Sequence, residues 1–204
     1  MEQITTSFME FCDKIVKNKS LPWIFNCIIL LIVVGIVFVR VCLQNRKLRK
    51  IQALYQNGHY TEMMEPAIKL KRSFFSMPSM PYARGSVIYN NLSLLIASAA
   101  LRIGEEDLFQ KHIKDIYIEE QKYVVEMWLV VYDLGKQDKE SAQEHYKRFL
   151  QTKETDRKHV AKTFLDAFMA HAEGNHELAV NLVREIEKDI VNPVMKDFID
   201  EIIY

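Results

Sequence analysis

The sequence predicts an all-α protein, with a single N-terminal transmembrane helix followed by an α-α hairpin superhelix. Three observations predict it. Residues 23–43 read WIFNCIILLIVVGIVFVRVCL, an almost unbroken apolar run. Beyond them apolar side chains recur at helical spacing, and no stretch alternates as a half-buried strand does. Lone glycines at positions 58, 104, 135 and 174 each separate two such segments.

Residues 1–21 form a short leader. Phe8, Phe11, Cys12, Ile15 and Val16 follow helical spacing, with Glu10, Asp13, Lys14 and Lys17 between them. Two readings stand: an amphipathic helix in the membrane interface, or a frayed start with fortuitous spacing.

Residues 22–43 read as the membrane span. No polar side chain occurs over 27–39. A rise of about 1.5 Å per residue carries such a helix across a hydrocarbon core of roughly 30 Å. The β-branched run is a mediocre helix in water, but lipid forces every backbone group to be satisfied within the segment. Ser20-Leu21-Pro22 suits a helix start. Trp23 suits one interface, and Arg40 can snorkel to the other. The run is too long for a cleaved h-region and no A-x-A-like site follows it, so it reads as an uncleaved signal anchor.

Arg40, Arg46, Lys47, Arg49 and Lys50 cluster at or after the span, against Lys14, Lys17 and Lys19 before it. That bias places the C-terminal domain in the cytoplasm of a single-pass cell-membrane protein, with residues 44–50 as a basic juxtamembrane helix at anionic headgroups. The membrane-surface residues are then Trp23, Arg40, Arg46, Lys47, Arg49 and Lys50. The whole chain balances 27 basic against 27 acidic residues, whereas from residue 51 onward there are 19 basic and 24 acidic. Mild acidity argues against nucleic acid as a partner. Cysteines occur only at 12, 27 and 42, which excludes a disulfide-built scaffold.

Residues 51–204 form the helical domain. Its turns read Tyr55-Gln56-Asn57-Gly58-His59-Tyr60, Arg102-Ile103-Gly104-Glu105-Glu106, Asp133-Leu134-Gly135-Lys136-Gln137 and His171-Ala172-Glu173-Gly174-Asn175-His176. Glycine supplies the left-handed conformation that ends a helix and reverses the chain. Before Gly104, Tyr89, Leu92, Leu95, Ile96, Ala99 and Ile103 line one face. After Gly174, Leu178, Leu182, Val183 and Ile186 do the same. The glycines lie 46, 31 and 39 residues apart, around the period of helical-hairpin repeats.

Here the chain resembles the tetratricopeptide-repeat family. Residues 170–189, AHAEGNHELAVNLVREIEKD, match best, with Gly174 as the turn glycine and Ala179 as the small residue of the second helix. Residues 54–71 resemble the same unit with Met63 in place of the small residue. The middle units match in outline, with Phe109 where alanine is usual and a longer turn at Gly135. The resemblance covers residues 49–190 and implies stacked hairpins that present a groove to a protein partner. Pro193 opens a last helix, whose Phe198, Ile199 and Ile202 are expected to cap the final hairpin.

One stretch resists a helix: SFFSMPSMPY at residues 73–82, where Pro78 and Pro81 interrupt a cluster of Phe74, Phe75, Met77, Met80 and Tyr82. Exposed, these five side chains form a partner-binding loop; folded back, they fill the groove of the first hairpin. The histidines at 59, 112, 145, 159, 171 and 176 read as turn and surface residues, and Val180 stands where a zincin's second histidine would be. No P-loop, G-x-S-x-G or G-x-G-x-x-G is present. The apolar run 123–132 around Trp128 reads as a buried central helix. Glu119, Glu120 and Glu126 read as solvated.

Together these features predict a membrane-anchored, non-catalytic protein-binding adaptor or scaffold, with no cofactor, metal or small-molecule substrate. Two alternatives stand beside it: a small accessory subunit packing laterally in a larger membrane complex, and an enzyme with acidic and histidine side chains in a groove.

Overall fold

A computed structural model describes residues 21–75 and 87–203, and every regular element among them is helical. Residues 1–20 of the predicted leader therefore lie outside the described residues, and Leu21 begins the first helix. The chain divides into two compact units, Met1–Lys47 and Leu48–Tyr204. The first helix, α1 (Leu21–Gln56), contributes to both and starts with Pro22 in its first turn, where the missing N–H costs nothing.

In the first unit, α1 carries the apolar run on all sides. Leu30, Leu31, Ile36 and Phe38 are each more than 60% exposed. A helix apolar all round is one that a membrane or a larger assembly must cover. The stretch Cys27–Gln56 is long and apolar enough to cross a membrane.

The second unit begins with the last turns of α1. It continues through α2 (Tyr60–Phe75), α3 (Val87–Arg102), α4 (Glu106–Ile113) and a 3₁₀ turn (Glu119–Gln121). Then come α5 (Lys122–Gly135), α6 (Lys139–Gln151), α7 (Lys158–Ala172), α8 (His176–Ile186) and α9 (Pro193–Ile203). Consecutive helices pack as hairpins, α3 on α4, α5 on α6 and α7 on α8. Between hairpins, α2 packs on α3, α3 on α5, and α5 on α7. The central apolar run is α5, with Met127, Trp128, Val130 and Val131 buried. On α8 the inward stripe is Ala179, Val183 and Ile186, while Leu178 points outward. Val183 and Ile186 face inward as expected, while Ala179 rather than Leu178 occupies the buried position one turn earlier.

Four turns close in the same way. After α1, the Gly58 N–H donates to the Tyr55 carbonyl (3.1 Å) and the His59 N–H to the Leu54 carbonyl (2.9 Å). The pair recurs as Gly104 to Leu101 with Glu105 to Ala100, and as Gly174 to His171 with Asn175 to Ala170. This is the Schellman closure, which satisfies two carbonyls the helix end would leave unpaired. The third turn corrects the sequence reading. Gly135 is the last residue of α5 and has no positive φ; Gln137, at φ 61°, is the left-handed residue. Gln137 donates to Leu134 and Asp138 to Asp133, as in the other turns. The left-handed residues are thus 58, 104, 137 and 174, which lie 46, 33 and 37 residues apart.

The helix starts are capped locally. Asp138 accepts from the Ser141 N–H (3.1 Å) at α6, and Asn175 from the Leu178 N–H (3.3 Å) at α8. The two kinds of glycine should respond oppositely to alanine. Gly174 sits at φ 83° with open space where a Cβ would stand, so Gly174→Ala meets backbone strain alone and should cost about 1 kcal/mol. Gly135 is helical with equally open surroundings, so Gly135→Ala should gain about 0.5–1 kcal/mol. Urea denaturation of the two variants checks the signs.

Candidate functional site

The helix α9 is placed by its two faces. Val194, Met195, Ile199 and Ile202 are buried. The residue before the helix, Asn192, accepts from the Val194 N–H (2.9 Å) and the Met195 N–H (3.2 Å), capping α9. The same amide oxygen accepts from the Tyr55 hydroxyl (3.1 Å), which also meets Ser98 Oγ on α3 (2.8 Å). The Tyr60 hydroxyl donates to Asp197 Oδ2 (2.6 Å). Arg102 pairs with both Asp197 and Glu201, and its guanidinium lies 5.3 Å from the Phe198 ring centre. Phe198 in turn sits 6.3 Å from Trp128 on α5 and 5.6 Å, edge-on, from Phe168 on α7.

α9 packs on α8, as the capping prediction requires, but it extends well past that hairpin. It touches α3, α5 and α7 as well, Asp197 meets Tyr60 of α2, and the cap residue Asn192 meets Tyr55 of α1. α9 thus covers part of the face that α3, α5 and α7 share. Burial drives the Tyr55 phenol up to about 12, against the pull of its bonds to Ser98 and Asn192. Burial also raises the Tyr60 phenol, helped by the carboxylate of Asp197.

Beside α9 a hollow of about 310 Å³ remains open at the turn edge of the second and third hairpins. Leu101, Phe109, Val131, Phe168 and Phe198 form its apolar wall. Phe109 stacks on Tyr132 with ring centres 4.9 Å apart. At the rim, Lys136 and the Tyr132 hydroxyl both donate to the Glu106 carboxylate, and Lys136 foremost holds that carboxyl below its usual range.

A second polar cluster is buried between α2, α3 and α4. Lys71 Nζ lies 2.7 Å from His112 Nδ1 and 2.8 Å from Asp115 Oδ2, and the Tyr89 hydroxyl donates to the same oxygen (3.2 Å). His112 is only 4% exposed and Lys71 3%. This corrects the reading of His112 as a surface residue. Phe109 and Ile113, on the same side of α4, are buried, and they carry the imidazole in with them. Burial, then the neighbouring ammonium, pushes His112 down to about 4. Burial likewise lowers Lys71 despite its bond to Asp115. At Asp115 burial works against ionisation, yet the contacts with Lys71 and Tyr89 outweigh it and the carboxyl lies below its usual range. Lys71 was detectable in the sequence: it falls four residues after Ala67 and eight after Met63, on the buried stripe of its helix. A cation on the core side of a helix requires a partner, but helical periodicity does not say which.

On α5 and α6, His145 Nδ1 meets Glu126 Oε2 (2.6 Å) and Nε2 faces Asp133 Oδ2 at 3.8 Å, beyond hydrogen-bond reach. Burial raises the Asp133 carboxyl. Glu126 is therefore half-buried and engaged, unlike the solvated Glu119 and Glu120. His59, His159, His171 and His176 are exposed, as expected of turn and surface positions. Among the described residues no group of three or more His, Cys, Asp or Glu side chains is arranged to hold a metal ion.

Of the five partner-loop residues, Phe74 and Phe75 belong to the last turn of α2, so the helix runs three residues into the stretch that the prolines were expected to disrupt. Met77, Met80 and Tyr82 lie outside the described residues. Trp23, Arg40, Arg46, Lys47, Arg49 and Lys50 all fall on α1 and are exposed. The chain matches no family model, no curated protein and no solved structure.

The ties on α9 predict its response to mutation. Arg102→Ala removes two partly exposed ion pairs and a ring contact, and should cost about 1–2 kcal/mol. Phe198→Ala empties the space between Trp128 and Phe168 and should cost about 2–4 kcal/mol. In hydrogen exchange both variants should deprotect α9 before α5; equal loss in the two helices would show that α9 is not held by these contacts.

Proposed function

We propose that this protein is a single-pass, membrane-anchored helical-repeat adaptor: α1 tethers it, and the domain after the tether binds another protein without performing a reaction. The observation that carries the tether is the apolar surface of α1. Eleven large apolar residues from Ile28 to Leu43 and Trp23 before them are exposed. At about 25 cal/mol per Å² of apolar area, leaving such a surface in water is costly, and lipid removes that cost. The basic residues at 46, 47, 49 and 50 suit anionic headgroups on the cytoplasmic side.

The resemblance of the sequence to tetratricopeptide repeats supports the binding role, and the placement of α9 bears on where binding occurs. A partner meeting the first-helix face would have to displace four buried side chains of α9. The open hollow at Leu101 requires no such displacement. Anchoring raises the local concentration of domain and partner at one membrane surface.

A lateral role in a larger membrane complex is the second reading. It is favoured by a shallow notch at Gly35, flanked by Ile32, Ile36, Val39 and Leu43 along one side of α1, where a second helix fits.

Affinity capture of the full-length protein from its own membranes separates these. The adaptor reading expects a partner that is lost from a Phe74→Ser/Phe75→Ser variant or from a Leu101→Asp variant. Capture untouched by both, but lost on Gly35→Leu, supports the lateral subunit instead. The anchor itself is checked by alkaline carbonate extraction and N-terminal mass analysis. An intact chain should remain in the pellet; a mature chain lacking residues 23–43 would overturn the tether. A C-terminal reporter active only outside the cytoplasm would overturn the proposed side.

A further inference from the structure

The cluster of Lys71, His112, Asp115 and Tyr89 takes no part in the adaptor role, and its geometry has a consequence of its own. An ammonium has only donors, so His112 Nδ1, 2.7 Å from Lys71 Nζ, must accept. The imidazole is then neutral, with its proton on Nε2. A second proton could go only to Nδ1, where it would point at the ammonium. Two cations at that separation, on side chains 3% and 4% exposed, lack the water that would screen them. The groups facing His112 offer little relief. Lys71 and Arg72 approach from α2, Lys111 from its own helix and Tyr89 from α3, while Asp115 follows α4. The single carboxylate among them already accepts from Lys71 and Tyr89.

From this geometry we propose that Lys71, His112 and Asp115 form an acid-released latch: neutral His112 accepts from Lys71 and holds α2 against α4, and its protonation parts the first hairpin from the second. The direction of the pH dependence follows from the two states. In the unfolded chain the imidazole takes its proton near 6.5, while in the fold burial and the Lys71 charge push it down to about 4. Between those values the unfolded state holds more protons, so stability rises with pH. The latch is complete above about 6.5 and is lost progressively as pH falls through about 4. The connection after α4 shares in it, since the Tyr117 N–H donates to Asn90 Oδ1 on α3 (2.6 Å) two residues beyond Asp115. Acidification is thereby read out where α2, the helix that directly follows α1, meets α4.

The test is amide exchange on the full-length protein in lipid nanodiscs, corrected for the intrinsic effect of pH on exchange. From pH 7.5 to 4.5, amides of α2 and α4 should open on the order of 50- to 100-fold more often, while those of α7 and α8 change far less. His112→Gln retains an acceptor and does not titrate, so it should flatten the response in α2 and α4. The same acid response in His112→Gln, or none in the native protein, would overturn the latch. Should that variant fail to fold, Lys71→Met gives a second reading. With the facing cation gone, the His112 imidazole, followed by NMR, should titrate closer to the ordinary value than in the native chain. An unshifted titration, or a native His112 that already titrates near 6.5, would overturn it equally.

Discussion

α9 lies against α3, α5 and α7, and that contact ties together helices far apart in the chain. A helical hairpin has an apolar face that it cannot bury by itself, and neighbouring hairpins bury only part of it. On α9, Val194, Met195, Ile199 and Ile202 are buried in the assembled domain. The rings of Trp128, Phe164, Phe168 and Phe198 meet at the centre, with neighbouring centroids 5.6 to 6.4 Å apart. Polar bonds then set the register. Asn192 serves both as the cap of α9 and as the acceptor for Tyr55, so the helix can start in one place only. Tyr60 and Asp197 are 137 residues apart in sequence. Contacts of that range carry a larger loop-closure cost than those within a hairpin.

Regularity elsewhere comes from one hydrogen-bond arrangement used four times. Each hairpin turn satisfies the same two carbonyls of the preceding helix through a single residue of positive φ. Glycine lowers the cost of that conformation at 58, 104 and 174. At 137 glutamine accepts it, since the two bonds and the Asp138 cap that follows hold the turn regardless of side chain. The spacing of the repeats is therefore a property of the backbone closure, and counting glycines displaces the third turn by two residues.

The covered first-helix face also bears on the adaptor reading. In a hairpin stack that face offers a long groove, and filling it with an internal helix leaves smaller surfaces at the turns and helix ends. Buried ionisable groups in this domain join helices to one another: Lys71 to His112 and Asp115, and Lys158 to the carbonyls of Leu150 and Thr152 (3.1 and 2.6 Å). Burial within the Lys71 cluster lowers both Lys71 and His112, a cause that lies in the packing of α2 against α4.

Much of this was legible in the residues. The apolar run on α1, the central helix around Trp128, the break before Pro193 and the all-helical class follow from composition and period, because burial of one face imposes a repeat of 3.6 on the chain. Periodicity says which side of a helix turns inward; it carries no information about which neighbour it meets. Hence the existence of α9 and its apolar stripe were determined locally, while its seat across four helices was decided by the assembled fold. Lys71 and His112 followed the same rule, each sitting on the inward side of its own helix and finding the other only when α2 and α4 came together. The left-handed residue at 137 was likewise set by carbonyls that needed donors, a demand that exists only once the helix before it has formed.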